Sequence, residues 1–174
     1  MANTYIVYNG PMVTTAAPVS VTTGTAIKTL LQIKPAANFP LSVVEWGISF
    51  DGSAAATPGK VELIDTGAIF ATVTSFAAAD CMPYNDPNAP ANTTAGAASV
   101  PLNMTTTASG YTSTGEGTIT ATRELDLQLL PPTGPYVKQF PLGQFPKVIP
   151  GNSLRVRVHF AAAINALCYV VFEV

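Results

Sequence analysis

Leu154-Arg155-Val156-Arg157-Val158-His159-Phe160 alternates apolar and polar side chains without a break. In an extended chain successive side chains point to opposite sides. Leu154, Val156, Val158 and Phe160 therefore share one face, and Arg155, Arg157 and His159 share the other. That period of two predicts a half-buried β-strand. Pro150-Gly151-Asn152, just ahead of it, is a turn former that starts the strand.

The same period recurs along the chain. In 43–50, Val44, Trp46, Ile48 and Phe50 face one way, and Glu45, Gly47 and Ser49 the other. In 124–129, Leu125, Leu127 and Leu129 share a face. Shorter or less regular strands are predicted at 4–8, 27–33, 60–64 and 69–76, where β-branched and aromatic residues suit a pleated surface. A segment at 118–122 is expected to run on into the Leu125 strand. The closing stretch 167–174 is apolar on both faces, the signature of a strand covered on both sides. Asp65-Thr66-Gly67 is expected to turn a hairpin. With 15 prolines and 13 glycines spread throughout, helices of ordinary length have no room.

These observations predict an all-β fold: a single-domain antiparallel β-sandwich, jelly-roll-like, with eight to ten strands. Residues 1–25, rich in Thr, Val and Pro, are expected to form an N-terminal arm or edge strand. Residues 26–174 form the sandwich, with a long Ala/Thr/Pro-rich excursion at about 80–117. Two roles are open for that excursion: it lies on a neighbour, or it is a surface loop with one hidden strand at 99–104.

Charge narrows the function classes. Only 10% of the 174 residues are charged, against roughly 25% in a typical soluble domain. Interface centres are depleted in Lys, Glu and Asp, so part of this surface is expected to be covered by other protein. Net charge is -2 and the eight basic residues are scattered, so no nucleic-acid partner is expected. No apolar run approaches the roughly 18 residues of a spanning helix, so no membrane partner is expected either. The start, MANTYIVYNG, lacks a basic segment followed by an apolar one, so no secretory leader is expected.

Candidate chemistry is sparse. His159, the only histidine, sits on the polar face of its strand with no evident nucleophile or carboxylate partner. Glu45 and Glu62, if placed on adjacent strands, are the carboxylates that would supply the facing pair glycoside hydrolysis requires. Asp80 and Asp86 fall in the excursion, where a metal site is conceivable but solvated positions are the plainer expectation. Cys81 and Cys168 are too far apart in sequence to make a metal-ligand spacing, and both are expected as free thiols. Trp46 belongs with the core by its face. No catalytic residue, cofactor or metal ligand is assigned.

Interaction residues are better marked. Tyr84, Tyr111, Tyr136, Phe140 and Phe145 lie in loop-like stretches, and 130–143 combines Pro131, Pro132, Pro135 and Pro141 with two of those aromatics. A surface stiffened by proline loses little entropy on docking. The contact residues expected are Tyr5 and Tyr8 in the N-terminal segment, with Tyr84, Pro135, Tyr136, Phe140 and Phe145.

Val44-Glu45-Trp46-Gly47-Ile48-Ser49-Phe50-Asp51-Gly52, the stretch 117–123, Pro135-Tyr136-Val137-Lys138-Gln139-Phe140-Pro141-Leu142-Gly143 and the ending from Pro150 to Val158 resemble small structural proteins of tailed bacteriophages, over 44–174. The resemblance is one of texture, without a catalytic motif. It implies a virion protein made in the host cytoplasm. The role implied is a head decoration or cement protein that binds the major capsid protein, or other virion proteins, often as a homotrimer. The alternatives are a carbohydrate- or receptor-binding β-sandwich module and a tail or baseplate component. An enzyme is not expected.

Overall fold

The computed structural model describes residues 3–15, 17–38, 40–53, 57–89 and 101–174. Thirteen strands form among them. In the first half these are β1 (Thr4–Tyr8), β2 (Val21–Thr22), β3 (Lys28–Ile33), β4 (Leu41–Phe50), β5 (Gly59–Asp65), β6 (Thr72–Ser75) and β7 (Met82–Pro83). In the second half they are β8 (Gly110–Gly115), β9 (Arg123–Leu130), β10 (Tyr136–Gln139), β11 (Lys147–Val148), β12 (Leu154–His159) and β13 (Asn165–Glu173). A single 3-10 turn, Ala78–Asp80, precedes β7.

The strands make two antiparallel sheets packed as a sandwich. Sheet A runs β10-β4-β13-β1-β7, with β11 beside β4 and β2 beside β13. Sheet B runs β6-β8-β3-β12-β5-β9. The principal pairs join early strands to late ones: β1 with β13, β3 with β12, β4 with β10, and β5 with β9. A chain doubled into one long hairpin and then rolled up pairs its strands in that order. This is the jelly roll that the alternation predicts.

The inward faces carry the core. Leu154, Val156 and Val158 on β12 are buried, as are Trp46, Ile48 and Phe50 on β4. Phe50 meets Phe160 edge-on at 5.0 Å, and Tyr5 stacks on Phe172 at 5.8 Å. Each such ring pair adds about 1 kcal/mol beyond the area it buries. Gly59 is obligatory for close packing: a Cβ there would sit 2.2 Å from the Phe160 ring.

Several expectations are corrected. Residues 1–25 are not simply an arm or edge strand: β1 lies inside sheet A, between β13 and β7, and only the stretch 11–19 is largely exposed. Asp65-Thr66-Gly67 turns the chain but makes no hairpin, because β6 lies at the opposite end of sheet B from β5 and β9. Residues 118–122 are not strand. Val44 falls at an irregularity in the β4–β13 register, so Val43 rather than Val44 is buried.

The leucines of β9 are the clearest inversion. Asp126, not the leucine set, faces into the sandwich, while Leu127 and Leu129 stand exposed on the outer face. A register shift between Leu63 and Ile64 displaces Leu125, which packs toward the core. A one-residue slip reverses every side chain in a strand, and here a buried carboxylate network holds the reversed register.

The excursion is folded onto its own domain where it is described. β7 joins sheet A, β8 joins sheet B, and Leu102 and Met104 are buried in the core. Residues 90–100 lie outside the described set, so the strand expected at 99–104 is testable only from 101 on. There Leu102 makes an isolated bridge to Pro35.

Candidate functional site

The outer face of sheet A follows from its register. Tyr8 on β1 pairs with Tyr169 on β13, Tyr169 with Gly47 on β4, and Gly47 with Val137 on β10. Directly opposed residues share a face. Tyr8, Tyr169 and Val137 therefore stand in one row across four strands, and Leu167 flanks the row on β13. Tyr8 is 43% exposed, Val137 56% and Leu167 38%. Exposure of this kind at successive outward positions makes a continuous apolar surface.

Gly47 shapes that surface. A Cβ on Gly47 would lie 2.5 Å from the Tyr169 ring. With only a hydrogen there, the ring lies over the β4 backbone and reaches Glu45, whose Oε1 accepts a 2.6 Å hydrogen bond from the Tyr169 hydroxyl. Burial, with the neighbouring Glu45 carboxylate, pushes the Tyr169 hydroxyl above its ordinary pKa. Tyr169 and Tyr8 sit 6.0 Å apart, tilted by 47°. Tyr84, after β7, is 64% exposed and close enough to raise the Tyr169 pKa further.

Charge is sparse on this face: β11 places Lys147 opposite Ser42, away from the Tyr8–Tyr169–Gly47–Val137 row. The outward positions of β1, β4, β10 and β13 carry Glu45 and Glu173 but no Lys, Arg or His. The cation of β10, Lys138, turns the other way and pairs with Asp126 at 3.1 Å.

The outer face of sheet B is built differently. Arg155 faces outward, yet its side chain has no exposure. The chain itself covers it. Arg155 donates to the backbone oxygens of Ile69 and Glu116 and pairs with the Glu116 carboxylate at 3.4 Å. Burial pulls the guanidinium down to about 10, with Glu116 opposing. Glu116 also accepts 2.6 Å bonds from the Thr29 amide and hydroxyl. Gln32 clamps the same cover: its amide group donates to Ala71 and Ala108 oxygens and accepts from the Ala71 amide. Beyond the cover, Arg157 pairs with Glu62 at 2.5 Å. Burial and the adjacent Glu62 push the Glu124 carboxyl up to about 7.

Asp126 ties the two sheets at one side of the sandwich. It accepts from Trp46 at 3.2 Å, Tyr136 at 2.8 Å and Gln128 at 2.8 Å, besides Lys138. Burial alone would raise its pKa; the bonds from Gln128, Tyr136 and Lys138 overcome that and hold it below its ordinary value. The Tyr136 hydroxyl is in turn pushed up to about 12, by burial and by Asp126.

The structure separates the seven expected contact residues. Tyr8, Tyr84 and Pro135 are on the surface. Tyr5 and Phe140 are buried, 1% and 9% exposed, and present no surface to a partner. Tyr136 and Phe145 are half-buried and pack against the core. Sequence reasoning missed Tyr169, Leu167 and Val137. The signal was there for β13: a strand apolar on both faces needs a cover on each.

Other candidates disperse. Glu45 is on sheet A and Glu62 on sheet B, so they do not face one another. His159 is exposed on the outer face of sheet B. Asp80 accepts from the amides of Met12 and Ala77, and Asp86 from the amide of Asn88. Among the described residues no group of three or more His, Cys, Asp or Glu could hold a metal ion. Cys81 and Cys168 are free and buried; burial pushes the Cys81 thiol up to about 12 and Cys168 up as well. Such thiols are poor nucleophiles.

Exposed tyrosine and aliphatic surface on a rigid sheet buries large area at small entropic cost. Comparison of the chain with known protein families, with curated proteins and with solved structures finds no match.

Proposed function

We propose that this chain is a structural protein of a bacteriophage virion, a head decoration or cement protein that docks on the major capsid lattice through the outer face of sheet A. The observation that carries this reading is the Tyr8–Tyr169–Gly47–Val137 row, an apolar strip on a rigid sheet with no cation in the row itself. The resemblance to phage structural proteins supplies the partner. The low charge agrees, because a chain poor in ions relies on partners to cover its apolar surface. A protein that binds the assembled lattice and not its open form stabilises the assembled one by mass action.

A carbohydrate-binding module also uses exposed aromatic rings, and Tyr8 with Tyr169 brings that reading to mind. A flat sugar ring stacks best on a flat platform, however, and the two rings are tilted by 47°. The lattice reading is therefore preferred. Incubation of the purified protein with undecorated phage heads, followed by pelleting, tests it: the protein is expected in the pellet. Binding to tails and not heads moves the same surface to a tail partner and overturns the head reading.

A further inference from the structure

We propose that β9 is a self-association edge, at which two copies of this chain join sheet B edge to edge by antiparallel β9–β9 pairing about a two-fold axis. This inference is independent of the head-binding reading, because it uses a different sheet.

One side of β9 is fully paired with β5. Its other side takes no backbone partner among the described residues. Eight residues leave a free edge of about 27 Å, a row of unmade backbone hydrogen bonds. Natural sheets blunt such edges with short strands, prolines, lysines or bulges. Among the described residues, the strands that end the two sheet paths elsewhere are blunted. β10 has four residues between Pro135 and Pro141, β7 has two and ends in Pro83, and β6 has four with a register shift between Thr72 and Thr74. β9 contains neither proline nor lysine, and its register shift is confined to the Leu125 end, leaving 126–130 regular. Its one inward carboxylate, Asp126, already has Lys138 as counter-ion.

The occupant is a second copy because the strand is complementary to itself. In antiparallel pairing centred on Gln128, Leu127 of one copy lies against Leu129 of the other, and the reverse. These leucines are 54% and 67% exposed in the single chain, and the joint covers all four at once. The flanking charges match as well. Leu127 borders Glu62, which borders Arg157; Leu129 borders Lys60, which borders His159. Across the two-fold the first row continues into the second, so Glu62 of one copy and Lys60 of the other flank the same leucine pair. No like charges meet. Two identical edges pair in this way only in twos, so the joint departs from the three-fold association that the phage resemblance implies.

Sedimentation equilibrium of the full chain without heads tests this. A dimer is expected, and its dissociation constant should rise by about 100-fold or more in Leu127→Lys/Leu129→Lys, with the thermal midpoint of dilute, monomeric protein retained because both side chains are exposed. Tyr8→Ser, on the other sheet, should leave the dimer intact. Amide hydrogen exchange on the unaltered chain gives a readout free of any folding defect: protection within 126–130 should increase with protein concentration. A monomer at all concentrations overturns the proposal. So does a trimer, a dimer indifferent to the two lysines, or one abolished by Tyr8→Ser.

Discussion

The two outer faces of the sandwich invert the usual rule in opposite ways. On sheet B the outward positions of β12 and β3 are polar or charged, Arg155, Gln32 and Thr29, yet they are buried. On sheet A the outward positions of β1, β10 and β13 include Tyr8, Val137 and Leu167, yet they are exposed. The difference is who supplies the cover. The chain covers part of sheet B itself, and backbone at Ile69, Ala71, Ala108 and Glu116 brings carbonyl and amide groups, so the residues beneath must bond to them. On sheet A Ile6 and Val171, outward on β1 and β13, are buried, but Tyr8, Val137 and Leu167 are left uncovered by the described residues. Apolar side chains there gain only when something else arrives, which is why that face is the one proposed to meet the capsid.

If this contrast is right, the largest effect on stability comes from the covered face. Arg155→Met leaves the half-buried Glu116 without its cation and strips the backbone oxygens of Ile69 and Glu116 of their buried donor. Breaking a buried pair from one side costs about 3 kcal/mol or more. Urea denaturation should show that loss, and a near-neutral Arg155→Met would break the comparison.

Next is the clamp between the two faces. Asp126→Asn removes the Lys138 pair and weakens the bonds from Tyr136 and Trp46. About 2 kcal/mol should be lost. The sign with pH follows from a depressed folded-state pKa. The stabilisation is present above the ordinary carboxyl value of 3.8 and is lost as pH falls through the lower folded value. Denaturation at a series of pH values should show a smaller acid-side slope in Asp126→Asn than in the unaltered chain.

Gly47→Ala tests the exposed face from beneath. The added methyl meets the Tyr169 ring at 2.5 Å, so the ring must lift and give up Glu45. About 1 kcal/mol of stability and much of the head binding should go together. Head pelleting and denaturation of one preparation measure both.

The smallest stability effect is expected at Glu124. Its folded pKa of about 7 stands above the ordinary carboxyl value of 4.5, so its contribution is full at low pH and lost as pH rises through 7. Glu124→Gln should therefore gain stability relative to the unaltered chain at pH 8 and not at pH 4, measured as a difference in thermal midpoint.

Much of the fold was legible because period-two alternation is a local signal. The β12 and β4 stretches announced their inward faces residue by residue, apart from Val44. What was not legible depended on distant partners. Leu125, Leu127 and Leu129 share a pattern face, but the inward register is held by Asp126 bonding to Trp46 and Tyr136, residues 80 and 10 positions away. Tyr5 and Tyr8 looked alike in the N-terminal segment, yet β1 has two faces once it is placed inside sheet A. Arg155 and Arg157 looked equivalent too, until the cover at Ile69 and Glu116 buried the first. Of the contact surface, Tyr8, Tyr84 and Pro135 were legible as aromatic or stiff residues outside the core; Tyr169 and Val137 required the register that aligns four strands.

The most direct test of the uncovered face is pelleting of Tyr8→Ser/Val137→Ser with undecorated heads, beside the unaltered protein. Both side chains are exposed, so stability should change by less than about 0.5 kcal/mol each, while affinity for heads should fall by about 10-fold or more. Undiminished binding by a folded double variant would contradict the account.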